Sequence, residues 1–163
     1  MRNSRWILAV MGVALCVCAP GKVQAQSAGD EAAALQVVHD LFDGMREKDE
    51  AKLRAVWHPE ARLQSAGQDE DGTPSLRTTP VDGFIESVVS STAALDEVTF
   101  DEVIQIDGNL ASIWAPYNLF VNDSFQHCGV DAIHLIRMSD GWKIFQLTDT
   151  RTREGCDVER RGS

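Results

Sequence analysis

The segment from His127 to Cys156, HCGVDAIHLIRMSDGWKIFQLTDTRTREGC, constrains the fold of this chain more than any other stretch. Two runs rich in β-branched and aromatic residues flank Asp140-Gly141, a dipeptide suited to a tight turn, and together they predict a β-hairpin. A cysteine stands near each open end. Pairing Cys128 with Cys156 requires the chain to fold back after the second strand, because a hairpin turning at Asp140-Gly141 sets Cys128 opposite Arg153.

The first 25 residues read as an export leader. Arg2 and Arg5 precede an apolar run from Trp6 to Ala19, Pro20-Gly21 breaks it, and Val23-Gln24-Ala25 offers small residues for a signal peptidase. The run is short for a membrane span. Cys16 and Cys18 raise a lipoprotein anchor, but Leu15 and Val17 precede them where such a site needs a small residue. Cleavage after Ala25 places the protein in the periplasm or outside the cell. There the two remaining cysteines predict a disulfide between Cys128 and Cys156, which stabilises by roughly 3–4 kcal/mol on the chain-entropy account. A metal held by these cysteines with His127 or His134 lacks the spacing of a structural zinc site, so no metal and no cofactor is expected. The formal net charge of −10 becomes more negative once the leader takes three cations with it. Such a surface repels nucleic acid and anionic lipid.

Residues 26–29 form a polar lead-in. Asp30 can cap a helix to about Lys48, with Leu35, Val38, Leu41, Phe42 and Met45 on one stripe. A second helix, about Glu50 to Trp57, ends at His58-Pro59 because the residue before proline is pushed out of the helical region. A short strand over Ala61–Ala66 and a loop or loose hairpin over Gln68–Pro80 precede a third helix, Val81–Ser91. Its Phe84, Ile85, Val88 and Val89 point inward. The rest reads as strands at about 98–106, 110–121, 126–138 and 142–151, with turns at Asp107-Gly108, Asp123-Ser124 and Asp140-Gly141. Helices followed by an antiparallel meander make an α+β fold with one sheet face covered. A single domain spans 30–156, with a flexible tail over 157–163.

The stretches VVHDLFDGMREKDEAKLRAVWHPEARL, GFIESV and GVDAIHLIRMSDGWKIFQLTDTR resemble the nuclear transport factor 2-like superfamily, which includes ketosteroid isomerases and SnoaL-like cyclases. The resemblance implies three N-terminal helices packed on a curved antiparallel sheet that forms a conical cavity, and a homodimer through the sheet. It implies little about chemistry, since the fold hosts both enzymes and binders.

With two-residue turns, Phe100 lies opposite Ala115, Ala115 opposite Ala132, and Ala132 opposite Asp149. Alternation then fixes a covered face holding Val98, Ile104, Ile106, Ala111, Val130, Ile136 and Leu147. The polar exceptions on that face are the chemical candidates: His134 with Asp149 (or Glu102) to move a proton, and Tyr117 to hold an oxyanion. The same groups also suit a structural network. His58, Trp57, Phe100, Ile113, Phe145 and Arg151 are the expected pocket lining. Asp131 lands on the outer face with Trp114 and Trp142, alongside apolar Ile133, Leu135 and Ile144.

Three readings follow. The first is an exported small-molecule-binding domain whose mostly apolar cavity takes a compact apolar molecule with one or two polar groups. The second is an isomerase, cyclase or dehydratase working through His134, Asp149 or Glu102, and Tyr117. The third is a non-catalytic dimerisation module anchored on Trp114 and Trp142.

Overall fold

The computed structural model describes residues 21–160. Most of the expected export leader therefore lies outside the described residues. Helix α1 (Gly21–Glu47) starts earlier than predicted. Asp30 is an interior residue whose carboxylate meets Arg137 on the sheet at 2.6 Å instead of capping the helix. The apolar stripe packs as expected, with Ala34, Val38, Leu41, Phe42 and Met45 buried. Lys48 takes a left-handed conformation (φ 56°) that ends α1, and Asp49 caps α2 (Glu50–Ala55) by accepting from the Lys52 amide at 3.0 Å. Gly44 lets the helices close up: a Cβ there would lie 3.1 Å from the Leu53 side chain.

Strand β1 (Trp57–Gln68) is longer than the short strand expected, and β2 (Pro74–Thr79) returns beside it, so the polar stretch is a hairpin. Helix α3 (Val81–Ser90) buries Ile85 and Val88. The strand anticipated over 98–106 is two strands, β3 (Leu95–Thr99) and β4 (Val103–Asp107), both paired with β5 (Leu110–Val121). Between them Asp101 holds a positive φ of 53°. Strands β6 (Ser124–Met138) and β7 (Gly141–Thr150) complete the sheet, in the order β2-β1-β7-β6-β5-β3. All pairs are antiparallel except β1 with β7. The result is an α+β fold with helices on one face of a curved, mostly antiparallel sheet, as the sequence predicts.

The register differs from expectation by one residue, and that residue reassigns the faces of β6. The β5–β6 turn is Asn122-Asp123, both left-handed (φ 50° and 63°), with Val121 opposite Ser124. A bulge at Gln126 then sets Ala115 opposite Asp131 rather than Ala132. In the opening hairpin the turn is Ser139-Asp140, since Met138 faces Gly141, and a bulge at Phe145 sets Asp131 opposite Asp149. The covered face is therefore Ala111, Ile113, Ala115 and Tyr117 on β5, Asp131, Ile133 and Leu135 on β6, and Trp142, Ile144, Leu147 and Asp149 on β7. Ile133, Leu135, Trp142 and Ile144, assigned outward from sequence, are core residues; Val130, Ala132 and Ile136 change places with them.

Beyond β7 the chain pairs once more, Thr152 with Cys128, and turns back at Gly155 (φ 71°). The disulfide Cys128–Cys156 closes there, with Cα atoms 5.9 Å apart. The segment that follows, expected to begin a loose tail, is held in place. Fully buried Asn118 donates from Nδ2 to the carbonyls of Asp157 (2.8 Å) and Arg160 (2.9 Å), while Arg160 pairs with Asp101. Among the described residues, no helix is long and apolar enough to cross a membrane.

Candidate functional site

A cavity of about 210 Å³ opens between α1, α3 and the concave sheet. Its walls are apolar: Leu41, Phe42 and Met45 from α1, Phe84 from α3, Trp57 and Leu63 from β1, and Leu147 from β7. Its polar end is made by Glu97, Asp131 and Arg151. Glu97 comes from β3 and Asp131 from the middle of β6, with β5 between them. Ala115 stands beside Asp131 and Gly129 two residues before it, so neither adds bulk at the point where the two carboxyl groups meet.

Asp131 is 1% exposed, and Glu97 owes its partial exposure to the cavity it lines. Burial raises both groups, since a charge in an apolar hollow loses its hydration. Glu97 rises to about 7, held back by its hydrogen bond with Asp131, whereas Asp131 is pushed further up by the neighbouring Glu97 charge. The two carboxyl groups are hydrogen-bonded to one another, and both hold their protons above the ordinary carboxylate range. Asp131 Oδ2 is buried without a hydrogen-bond partner among the described residues.

Asp149 lies beside Asp131 on β7 and accepts from Arg151 Nε at 2.5 Å. Arg151, 51% exposed in its side chain, stands at the rim and also reaches Ser65 Oγ at 3.4 Å. Beneath the carboxyl groups, Tyr117 donates from its hydroxyl to the Thr150 carbonyl (3.0 Å) and lies 3.2 Å from His127 Nδ1. Burial and the surrounding carboxylates hold the phenol neutral by raising it well beyond its ordinary range.

The residues named from sequence divide. Trp57 and Arg151 line the cavity, and Asp149 sits directly behind its polar end. His134 is on the other side of the sheet, stacked on Phe145 with ring centres 6.0 Å apart, so the proposed His134–Asp149 pair is separated by the sheet itself. The misplacement of His134 comes from the one-residue slip in β6, and that of Phe145, expected in the pocket lining, from the bulge at that residue. Tyr117 is on the predicted face, but its proton is committed to Thr150. Glu102 lies in the break between β3 and β4, on the side of Arg160, whose charge it supports. Phe100 sits under the Arg160 guanidinium at 4.5 Å. Ile113 is core rather than lining. His58 lines a separate surface depression and accepts from the Glu60 amide at 3.2 Å. Trp142 is buried beneath Arg137 (4.5 Å), so it anchors nothing on the outer face.

Sequence reasoning missed Glu97, which fell just outside the expected strand. It also sent Asp131 outward. The signal that would have found Asp131 was the Asn122-Asp123 dipeptide, whose tolerance of left-handed backbone suits a two-residue hairpin turn better than Asp123-Ser124.

Among solved structures, the chain is similar to a nuclear transport factor 2-like protein with a cystatin-like fold from Novosphingobium aromaticivorans (10% identity, TM-score 0.65, 85% of this chain and 91% of that one). It is also similar to a "putative dehydratase" of that family from Streptomyces avermitilis (13%, 0.61, 77% and 98%) and to a nuclear transport factor 2-like protein from Cytophaga hutchinsonii (15%, 0.60, 72% and 94%). At these identities the likeness is one of fold. No curated protein matches the chain in sequence. A family model described as "Putative lumazine-binding" matches residues 29–148, which take in every cavity-lining residue except Arg151. The chain belongs to that family, and its fold is that of the nuclear transport factor 2-like structures it resembles.

Proposed function

We propose that the protein is an exported small-molecule binder whose cavity takes a compact, largely apolar ligand carrying a hydrogen-bond donor. The observation that carries this is the Glu97–Asp131 carboxyl pair, which closes one end of an otherwise apolar cavity with Arg151 at its rim. A ligand N–H or O–H placed against that pair gains hydrogen bonds that the apolar walls cannot offer. The family description adds a two-ring heterocycle to the candidates, since lumazine offers N–H groups to Asp131 and carbonyls to Arg151. Cys128–Cys156 supports export, because such bridges persist outside the reducing cytoplasm.

A thermal-shift screen of small aromatic and heterocyclic compounds, lumazine among them, tests the reading, run in parallel on Ser87→Trp. Ser87 lines the cavity from α3, and an indole there would fill it. Binders of the wild type should fail to stabilise the filled variant. Equal shifts in both proteins would place binding elsewhere and end the proposal.

A second reading, an isomerase- or dehydratase-type enzyme, is favoured by one feature. A carboxylate and a protonated carboxyl side by side near neutral pH are a base and an acid. In this reading Glu97 takes a proton next to a carbonyl and Asp131 supplies the acid, without His134. Deuterium exchange into a cyclic ketone that binds the cavity, lost in Glu97→Gln, is the expected signature. Exchange that persists in that variant rules out this role.

A further inference from the structure

The polar end of the cavity is rich in acid. Three carboxyl groups, Glu97, Asp131 and Asp149, are brought together there around one guanidinium, that of Arg151. Arg151 balances Asp149, to which its Nε is bonded, and leans towards Ser65 and solvent. That leaves Glu97 and Asp131 without a bonded cation among the described residues. Phe42, Trp57 and Phe84 line the same cavity, with Trp57 and Phe84 in edge contact at 6.3 Å between ring centres. Ring faces attract cations as well as hydrocarbon, most strongly where water is excluded. At longer range, a protein with a formal charge of −10 gathers cationic solutes.

We propose that the ligand of this cavity is a compact apolar amine bound as its ammonium ion, its N–H groups on the Asp131 and Glu97 carboxyl groups and its body against Phe42, Trp57 and Phe84. This rests on the reading of the cavity as a ligand pocket and narrows it to one charge class. A monocation supplies the cation that the carboxyl pair lacks; an anion would face the pair, and a neutral molecule would leave it without a counter-charge.

The test compares three probes with one hydrocarbon body: 2-phenylethylamine, 2-phenylethanol and phenylacetate. Affinities are measured by calorimetry at neutral pH on the purified disulfide-bonded protein. The amine should bind at least about tenfold tighter than the alcohol, and phenylacetate weakest. Glu97→Gln and Asp131→Asn, each checked for an intact fold by circular dichroism, should erase the amine's margin and leave the alcohol's affinity within about twofold. Two variants are used so that misfolding of one does not decide the matter. If the alcohol or the carboxylate binds as tightly as the amine, the charge assignment is overturned while the pocket stands. If none of the three binds and the Trp57 environment is unchanged, the pocket reading falls and this inference with it.

Discussion

Burial raises Asp131 and Glu97 above the ordinary carboxylate range, and this leaves a mark on stability. Both bind more protons folded than unfolded once pH passes the ordinary carboxylate range. Stability contributed by them therefore falls as pH rises towards 7 and beyond. His127 works the other way: burial and Arg151 hold it below 6.5, so its part of stability grows as pH climbs to that value. Asp30, Asp71 and Asp101, all lowered by hydrogen bonds, matter only when pH drops below their ordinary value of 3.8. The melting temperature should thus peak on the acid side of neutrality and decline by a few degrees towards mild alkali, measured by calorimetric scans across pH. Asp131→Asn should flatten that decline, and an unchanged slope would show that the pair does not carry it. Gly129 makes a second residue-scale case. A Cβ there would lie 1.8 Å from the Thr150 carbonyl oxygen and 3.0 Å from the Tyr117 ring. Gly129→Ala should cost at least the roughly 1–3 kcal/mol typical of overpacking, read from urea midpoints. A loss below half a kilocalorie would mean that β6 and β7 yield easily there.

Among the elements, the β6–β7 hairpin is the one most fully legible in sequence and also the source of the largest error. Its existence, its strands and its two cysteines follow from local pattern. Its register does not, because two bulges, at Gln126 and Phe145, each add a residue that no periodicity announces. The helices fared better, since a stripe at helical spacing needs no partner to be recognised, as Val38, Leu41 and Met45 demonstrate. The site was legible only where it did not depend on register: Trp57 and Arg151 were found, Asp131 was misplaced, and Glu97 was overlooked. The disulfide ties the chain after β7 back to β6 just past Arg151, so it fixes where that guanidinium can reach. Replacing Cys156 by Ser should lower stability by about 2–4 kcal/mol, measured by chemical denaturation. The same change should weaken the Arg151–Asp149 contact, visible as a change in the pH dependence of ligand affinity. Wild-type affinity at every pH would assign the bridge to stability alone.

At the scale of the whole molecule, the outer sheet face exposes Trp114 (54%), Val103 and Leu110, with Met138 at its margin. Trp114 and Val103 are cross-strand neighbours on β5 and β4, and together these side chains make an apolar surface of the kind that monomers seldom leave open. We propose that a second copy covers it. Trp114→Lys should then shift the protein from dimer to monomer in sedimentation experiments at micromolar concentration without disturbing the cavity on the opposite face. A wild-type protein that sediments as a monomer at high concentration would dispose of the proposal.

The parallel pairing of β1 with β7 orders events in time. Synthesis makes α1, α3 and β1 first, three walls of the cavity, yet the inner neighbour of β1 is the last strand to leave the ribosome. Until β7 arrives, β1 has only β2 beside it, and Glu97 and Asp131 lack the Arg151 that steadies Asp149. Ligand binding is in this sense a certificate of completion, for a chain cut after Met138 would carry most of the pocket's side chains and none of its closure.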